Sequence, residues 1–310
     1  MYKATVTRID ALAPQIRRIQ IQPEEHVSTQ FAPGAHLDVR LANGLIRSYS
    51  LVPCTQANQF EIAVLREVTS RGGSEYLHTS LAIGEEIEIS TPKTTFRVIT
   101  APMHVFFAAG IGVTPLISLA DRVWADGQPL AFHYSVRARS EAAYLDVLAQ
   151  KPWASTLRLY DGSCGERLQF DSVLDQMPLK TAYFACGPAG YLDMLESRLI
   201  DRGLQGRLSV ERFRQKDLET SGDCFVVECA QSGVSVEVSE GETILSALER
   251  VGIDVPYACE EGICGTCITP VCAGEIDHRD SFLTPDEKAS QSLIAVCCSR
   301  ASSSRLVLDL

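Results

Sequence analysis

Positive charge is in short supply. Lys and Arg number 28 against 39 Asp and Glu, a formal net charge of −11. That sign opposes what a polyphosphate backbone selects, so nucleic acid is not an expected partner. The deficit is uneven, with 14 acidic and 5 basic side chains in residues 224–310 against 25 and 23 in residues 1–223. An acidic face steers a basic partner or simply keeps a surface solvated. A secretory start is missing too: Met1-Tyr2-Lys3-Ala4-Thr5-Val6 has neither a basic n-region nor an apolar h-region, which predicts a cytoplasmic protein. The 23 positions 98–120 carry no Asp, Glu, Lys or Arg, yet Pro102, Gly110, Gly112 and Pro115 interrupt them. A buried strand, a tight turn and a helix explain this run better than a membrane span, and no membrane association is expected. Internal repeats and low-complexity tracts are absent. The 310 residues, 45% hydrophobic and 22% charged, have a globular composition and suffice for two or three domains.

Cysteine is in excess. Eleven residues, an odd number without a signal peptide, argue for metal or redox chemistry rather than a disulfide framework. Cys259-x4-Cys264-x2-Cys267, followed after 29 intervening residues by Cys297, has the spacing of plant-type 2Fe-2S centres. Gly262 and Gly265 let such a loop wrap closely, with its N–H groups aimed at the sulfides. Structural zinc prefers paired C-x2-C knuckles, and only one such pair is present. Cys298 competes for the fourth position, but strand alternation sends neighbours to opposite faces, and the loop-to-strand spacing favours Cys297. Cys54, Cys164, Cys224, Cys229 and Cys272 show no ligand spacing.

The texture of the chain changes twice. Short strands at 5–9, 16–21, 36–41, 48–51, 60–65 and 86–89, separated by turns, predict a small antiparallel barrel over 1–100. Apolar strands at 105–109, 130–136, 157–160 and 181–185 alternate with helices near 115–124, 141–149 and 190–202. This predicts a parallel-sheet α/β domain over 101–215. The polar stretch 216–223 reads as a linker. A third domain, 224–310, opens with strands at 225–229 and 234–238 and a helix over 243–251.

Gly110-Ile111-Gly112-Val113-Thr114-Pro115 follows an apolar strand and opens a helix, a suitable place for a pyrophosphate, although the third glycine of the usual dinucleotide fingerprint is missing. Cys186-Gly187-Pro188-Ala189-Gly190 ends another apolar strand, and ligands of open parallel sheets bind at such ends. Alone, Cys186 reads as a packed small residue as readily as a reactive one. In the first domain, Arg47-Ser48-Tyr49-Ser50 sets a guanidinium beside an aromatic and two hydroxyls. Downstream, Arg71-Gly72-Gly73-Ser74 offers an anion cradle or an ordinary surface loop.

In this order, Arg-x-Tyr-Ser, then Gly-x-Gly-x-x-Pro with Cys-Gly-Pro, then a C-terminal plant-type cysteine set, the chain resembles the phthalate dioxygenase reductase and vanillate demethylase reductase family over essentially its whole length. The resemblance implies an FMN-binding barrel, an NAD-binding α/β domain and a β-grasp ferredoxin-like domain. Arg47, Ser48, Tyr49 and Ser50 would hold the flavin, with Ala63, Val64 and Leu65 running along it. Arg71, Gly72, Gly73 and Ser74 would receive its phosphate, and Thr114 and Phe213 would lie near the ring. Gly110, Gly112 and Pro115 would face the NADH pyrophosphate, and Cys186, Gly187 and Pro188 the nicotinamide, with Cys186 the candidate catalytic residue. Apart from Tyr76, nothing after Ser74 offers an adenine an aromatic shelf, which favours FMN over FAD. Arg137 and Arg139 follow the strand ending near Val136, where an NAD site would carry an acid; the family tendency is nonetheless NADH. The implied activity is hydride transfer from NADH to FMN and single-electron delivery through the 2Fe-2S cluster to a Rieske-type oxygenase component. A different monooxygenase acceptor, or a carrier or sensor without NADH oxidation, are the competing readings. Monomer is the default state.

Overall fold

The computed structural model describes residues 1–24, 26–54, 56–67, 72–94, 96, 98–213 and 221–310. Arg71 and residues 216–220 of the expected linker lie outside them. The chain divides into two compact units, Met1–Phe213 and Arg214–Leu310.

In the first unit, β1 (Tyr2–Ala13), β2 (Ile16–Pro23), β3 (His36–Arg40), β4 (Ile46–Val52), β5 (Phe60–Leu65), α1 (Gly73–Thr79) and β6 (Glu86–Ile89) come first. The six strands close into a barrel in the order β1-β2-β5-β4-β3-β6, every pairing antiparallel. Alternation sends Val6, Ile19, Leu37, Leu51 and Ile62 into its core.

Next follow β7 (His104–Ala109), α2 (Val113–Ala125), β8 (Leu130–Val136), α3 (Leu145–Ala149), β9 (Leu157–Asp161), α4 (Phe170–Leu174), β10 (Ala182–Cys186), α5 (Ala189–Ile200) and β11 (Leu208–Glu211). The strands form a parallel sheet in the order β11-β10-β7-β8-β9. Central β7 is buried at every residue, as a strand covered on both faces must be. Aromatics build a ladder on each face. Phe184, Phe106, Phe132 and Trp153 stack at 5.1, 5.6 and 5.0 Å on one. On the other, Tyr183, Phe107, His133 and Tyr160 stand at 6.4, 5.4 and 5.8 Å. Burial pushes the His133 pKa down to about 4, and its Nδ1 pairs with the Tyr160 hydroxyl. The uncharged run resolves into β7, a 3-10 turn at Gly110–Gly112 and α2. Among the described residues no helix is long and apolar enough to cross a membrane.

One helix differs from expectation. The stretch 141–149 is helical only over α3, because Tyr144 takes a left-handed φ of 61° to bury its ring, and the N–H of Ala143 donates to the Tyr134 hydroxyl. The barrel and the sheet are not separately packed: Ile16, Val52 and Ala63 join Phe106, Leu116 and Leu119 in one core.

The second unit holds β12 (Phe225–Cys229), β13 (Ser235–Val238), α6 (Ile244–Arg250), β14 (Ile268–Ala273), β15 (Ile276–Asp277), α7 (Pro285–Ala289), β16 (Leu293–Ala295), β17 (Arg300–Ala301) and β18 (Arg305–Leu308). Its main sheet runs β13-β12-β18-β14-β16, with β12 and β18 parallel. Thr243 caps α6 by accepting from the Ser246 N–H, and Ile244, Ala247 and Leu248 enter a core with Val227, Val238 and Leu306. Buried Arg300 donates to the carbonyls of Gly222, Asp223 and Ser239, so the chain at 222–223 is already held by this unit.

Candidate functional site

Two strand ends in the first unit meet. Gly112 ends the turn after β7, where a Cβ would stand 2.2 Å from the Cys186 carbonyl oxygen and 2.7 Å from the Gly187 nitrogen. On Gly187, a Cβ would stand 2.8 Å from that of Ala109. Only glycine at both positions lets the two breaks close on each other, which leaves the N-terminal end of α2 beside the C-terminal end of β10. Gly110 has a φ of 55° and open space around it. Thr114 is buried, its hydroxyl donating to the Ile111 carbonyl, and Pro115 lies in the first turn of α2. The turn lies against β5 and α2 packs on β4, so the barrel motif and the glycine turn stand on neighbouring elements.

Cys186 is fully buried, and burial raises its thiol pKa well above the usual value, with Glu211 adding to the effect. Glu211 pairs with Cys186 in the β10–β11 register. Its Oε2 is closed off from solvent without a hydrogen-bond partner among the described residues, and burial pushes the carboxyl up to about 8. Sequence reading missed Glu211; the available signal was an acid ending a short apolar strand two residues before Phe213. Phe213 is exposed, Gly187 half-buried and Pro188 exposed.

On the barrel, Arg47 lies along the start of α1. A Cβ on Gly73 would fall 2.6 Å from Arg47 Cγ, and Gly72 adopts a φ of 92°. Arg47, Gly72, Gly73 and Ser74 are thus together. Arg66 grips Glu75 through two hydrogen bonds of 2.9 and 2.8 Å, and His78 Nε2 pairs with the Val64 carbonyl, which ties α1 to β5. Buried Ala63 and Val64 and half-buried Leu65 belong to β5. Burial raises the Tyr49 phenol, and Ser50 is buried. The Ser48 hydroxyl donates to buried Asp38 at 2.6 Å, and Asp38 also receives Lys93 at 2.7 Å. Tyr76 donates to Glu85 at 2.6 Å and packs on the barrel core.

In the second unit the four spaced cysteines converge. The Cys259 thiol interacts with those of Cys264 and Cys297, and Cys297 with Cys267. Hydrogen bonds from Cys264, Cys297 and the N–H groups of Glu261 and Ile263 draw the Cys259 pKa far below that of a free thiol. Cys264 and Cys297 are raised in return by the Cys259 sulfur. Left-handed φ values at Glu260, Gly262 and Gly265 curl the loop, and a Cβ on Gly265 would collide with the Phe282 ring at 2.2 Å. Cys298 is buried beside Cys297, with its sulfur directed to the Ala295 carbonyl at 3.7 Å and the Ser299 hydroxyl at 3.8 Å. Four thiols drawn together and ringed by N–H donors fit a four-thiolate iron-sulfur group.

The family of the 2Fe-2S iron-sulfur cluster binding domain matches residues 227–302. The chain is 36% identical to the carnitine monooxygenase reductase subunit of Acinetobacter baumannii over all of this chain and 98% of that protein. Phthalate dioxygenase reductase is 31% identical with a TM-score of 0.71, over 99% of this chain and 97% of that one. An intact type IV self-sufficient cytochrome P450 monooxygenase is 35% identical with a TM-score of 0.89; all of this chain aligns, spanning 41% of that polypeptide.

Proposed function

Because the chain belongs to the phthalate dioxygenase reductase and vanillate O-demethylase reductase family of flavin, NAD and 2Fe-2S reductases, we propose that it passes electrons from NADH through FMN and a 2Fe-2S cluster to the Rieske-type oxygenase component of an aromatic dioxygenase or O-demethylase system. It is an oxidoreductase of the flavin and NAD(H) electron-transfer class, serving an oxygenase-type partner. The observation that carries the reading is the convergence of the Cys259, Cys264, Cys267 and Cys297 thiols.

Bound, the flavin would accept a hydride from the nicotinamide and release its electrons singly to the cluster. The chain's task is then to hold and orient. Arg47 and the Gly72–Ser74 backbone would take the flavin phosphate, joined by Arg71. Tyr49 and Ser50, with the β5 backbone at Ala63, Val64 and Leu65, would line the flavin, and Ser48 would fix β4 through Asp38. Thr114 and Phe213 would flank the ring. Gly110, Gly112 and Pro115 would present N–H groups to the pyrophosphate, and Cys186, Gly187 and Pro188 would border the nicotinamide. Cys186 would contribute volume as a neutral thiol, and Glu211 would hold a proton at its carboxyl. The engagement of Tyr76 with Glu85 supports FMN over FAD. Residues 1–100, 101–215 and 224–310 would be the FMN, NAD and β-grasp iron-sulfur domains.

The test is a visible spectrum of the purified protein before and after anaerobic NADH, with the released flavin identified by chromatography. Flavin and iron-sulfur bands that both bleach, and a yield of FMN, are expected. A cluster that NADH never reduces would overturn the reductase reading in favour of a carrier or sensor. The TM-score of 0.89 against part of a P450 polypeptide favours a haem acceptor as the second reading. Reconstitution with a Rieske oxygenase and with a P450, each measured as substrate turnover, separates the two.

A further inference from the structure

We infer that the C-terminal ends of β8 and β9 accept a ribose carrying a 2′-phosphate, held by Arg137 and Arg139, so that NADPH serves this chain alongside NADH. This rests on reading the turn at 110–115 as the pyrophosphate site. The sheet order places β10 and β11 on one side of that turn and β8 and β9 on the other. With the nicotinamide toward Cys186 on β10, the adenosine lies across the C-terminal ends of β8 and β9.

Those ends are adjacent, Val136 of β8 facing Asp161 of β9. Arg137 and Arg139 follow β8, both exposed, and among the described residues neither guanidinium makes a hydrogen bond or an ion pair. A site that selects NAD sets a carboxylate here, free to accept from the ribose 2′-OH and to repel a phosphate. The carboxylate present is Asp161, and both its oxygens are occupied. Oδ1 accepts from the Ser163 N–H at 2.9 Å and the Ser163 hydroxyl at 2.6 Å, and Oδ2 accepts from the Arg139 N–H at 3.1 Å. Asp161 therefore binds the loop after β8 to the loop after β9 instead of waiting for a ligand. Gly162 lets the loops approach, since a Cβ there would stand 3.1 Å from the Arg137 carbonyl oxygen. Two further acids are nearby: Glu141, two residues beyond Arg139 in the 3-10 turn Arg139–Glu141 and so about two thirds of a turn around it, and Glu166, whose backbone N–H donates to the Asp161 carbonyl at 3.0 Å. Two unpaired guanidinium groups beside a committed carboxylate are suited to a dianionic phosphate, which takes charge-assisted hydrogen bonds from each.

The probes are adenosine 2′,5′-bisphosphate and adenosine 5′-monophosphate, which differ only in the 2′-phosphate, titrated calorimetrically into the full chain. The bisphosphate is expected to bind about 10-fold or more tightly than the monophosphate. Arg137→Ala and Arg139→Ala should each narrow that gap about 10-fold without altering monophosphate affinity, and the corresponding lysine variants should restore most of it. Equal affinities in the wild-type chain, or a gap that survives both alanine variants, would overturn the inference, as would binding of neither probe. A parallel assay compares kcat/KM for the two dinucleotides. Oxidation of NADH but not NADPH sinks the inference and leaves the reductase reading standing. Oxidation of neither sinks that reading, while the adenosine titration still decides whether the phosphate site exists.

Discussion

At the scale of single residues, the glycines where the two strand ends meet are the sharpest constraints. Gly112 faces a backbone carbonyl that cannot swing aside, so Gly112→Ala must part the two strand ends. A loss of about 1–3 kcal/mol in urea unfolding and weaker NADH binding are expected. The control is Gly190→Ala near the start of α5, where a Cβ meets nothing within 4 Å; it should stabilise by about 0.5 kcal/mol. Equal effects at the two positions would refute the steric argument. Glu211 makes a prediction in pH. Its folded pKa of about 8 lies above the ordinary carboxyl value of 4.5, because burial disfavours the charged form, so the folded chain holds the proton more tightly. Stability from this group is complete below about pH 4.5, falls as pH rises toward 8 and is gone above it, a loss on the order of a few kcal/mol. Glu211→Gln should flatten that slope and exceed the wild type in stability above pH 8. Unfolding curves measured from pH 5 to 9 that stay parallel would contradict this. The residue escaped sequence reading because nothing in Leu-Ser-Val-Glu says that its acid meets Cys186, whereas Cys259-x4-Cys264-x2-Cys267 is legible since the loop itself sets the sulfur spacing.

Among elements, legibility followed length and self-containment. The parallel strands and α2 and α5 stand near their expected places because an apolar run or a helical stripe is a local signal. Short β11, β14, β16 and β18 were not anticipated; β18 pairs with β12 almost 80 residues earlier, and no local pattern names so distant a partner. The seven residues of α1 were hidden behind two glycines that read as a loop, yet they bring Arg47, Gly72 and Ser74 together. Arg47→Ala should therefore lower FMN occupancy of the purified protein, measured as flavin per chain, about 10-fold or more in dissociation constant. Retained flavin would remove Arg47 from the cradle. Cys297→Ser should abolish the iron-sulfur absorption and leave NADH-driven flavin bleaching intact, with Cys298→Ser spectroscopically silent. The reverse result would assign the fourth sulfur to Cys298.

For the molecule as a whole, the division at residues 213 and 214 and the separate core of the second unit predict two calorimetric transitions. Cys297→Ser should lower only the one belonging to the second unit, and a single transition that shifts as a body would argue against independent folding. The charge imbalance acts at the same scale. With most of the net charge in the last 87 residues, electron delivery to a basic haem protein such as cytochrome c should slow several-fold between 0.05 and about 0.5 M salt, because screening removes the steering. A salt-independent rate would make that surface merely solvating. The core shared by Ile16, Val52 and Ala63 with Leu116 and Leu119 has a further consequence for how such proteins are recombined. The change in texture near residue 100 is no seam: a hybrid spliced there would pair one parent's barrel with the other's helix across a fitted surface, and both parents' side chains would have to be exchanged together. A cut between the units transfers a complete core, so the iron-sulfur part can travel between lineages as cargo while barrel and sheet are inherited as one piece.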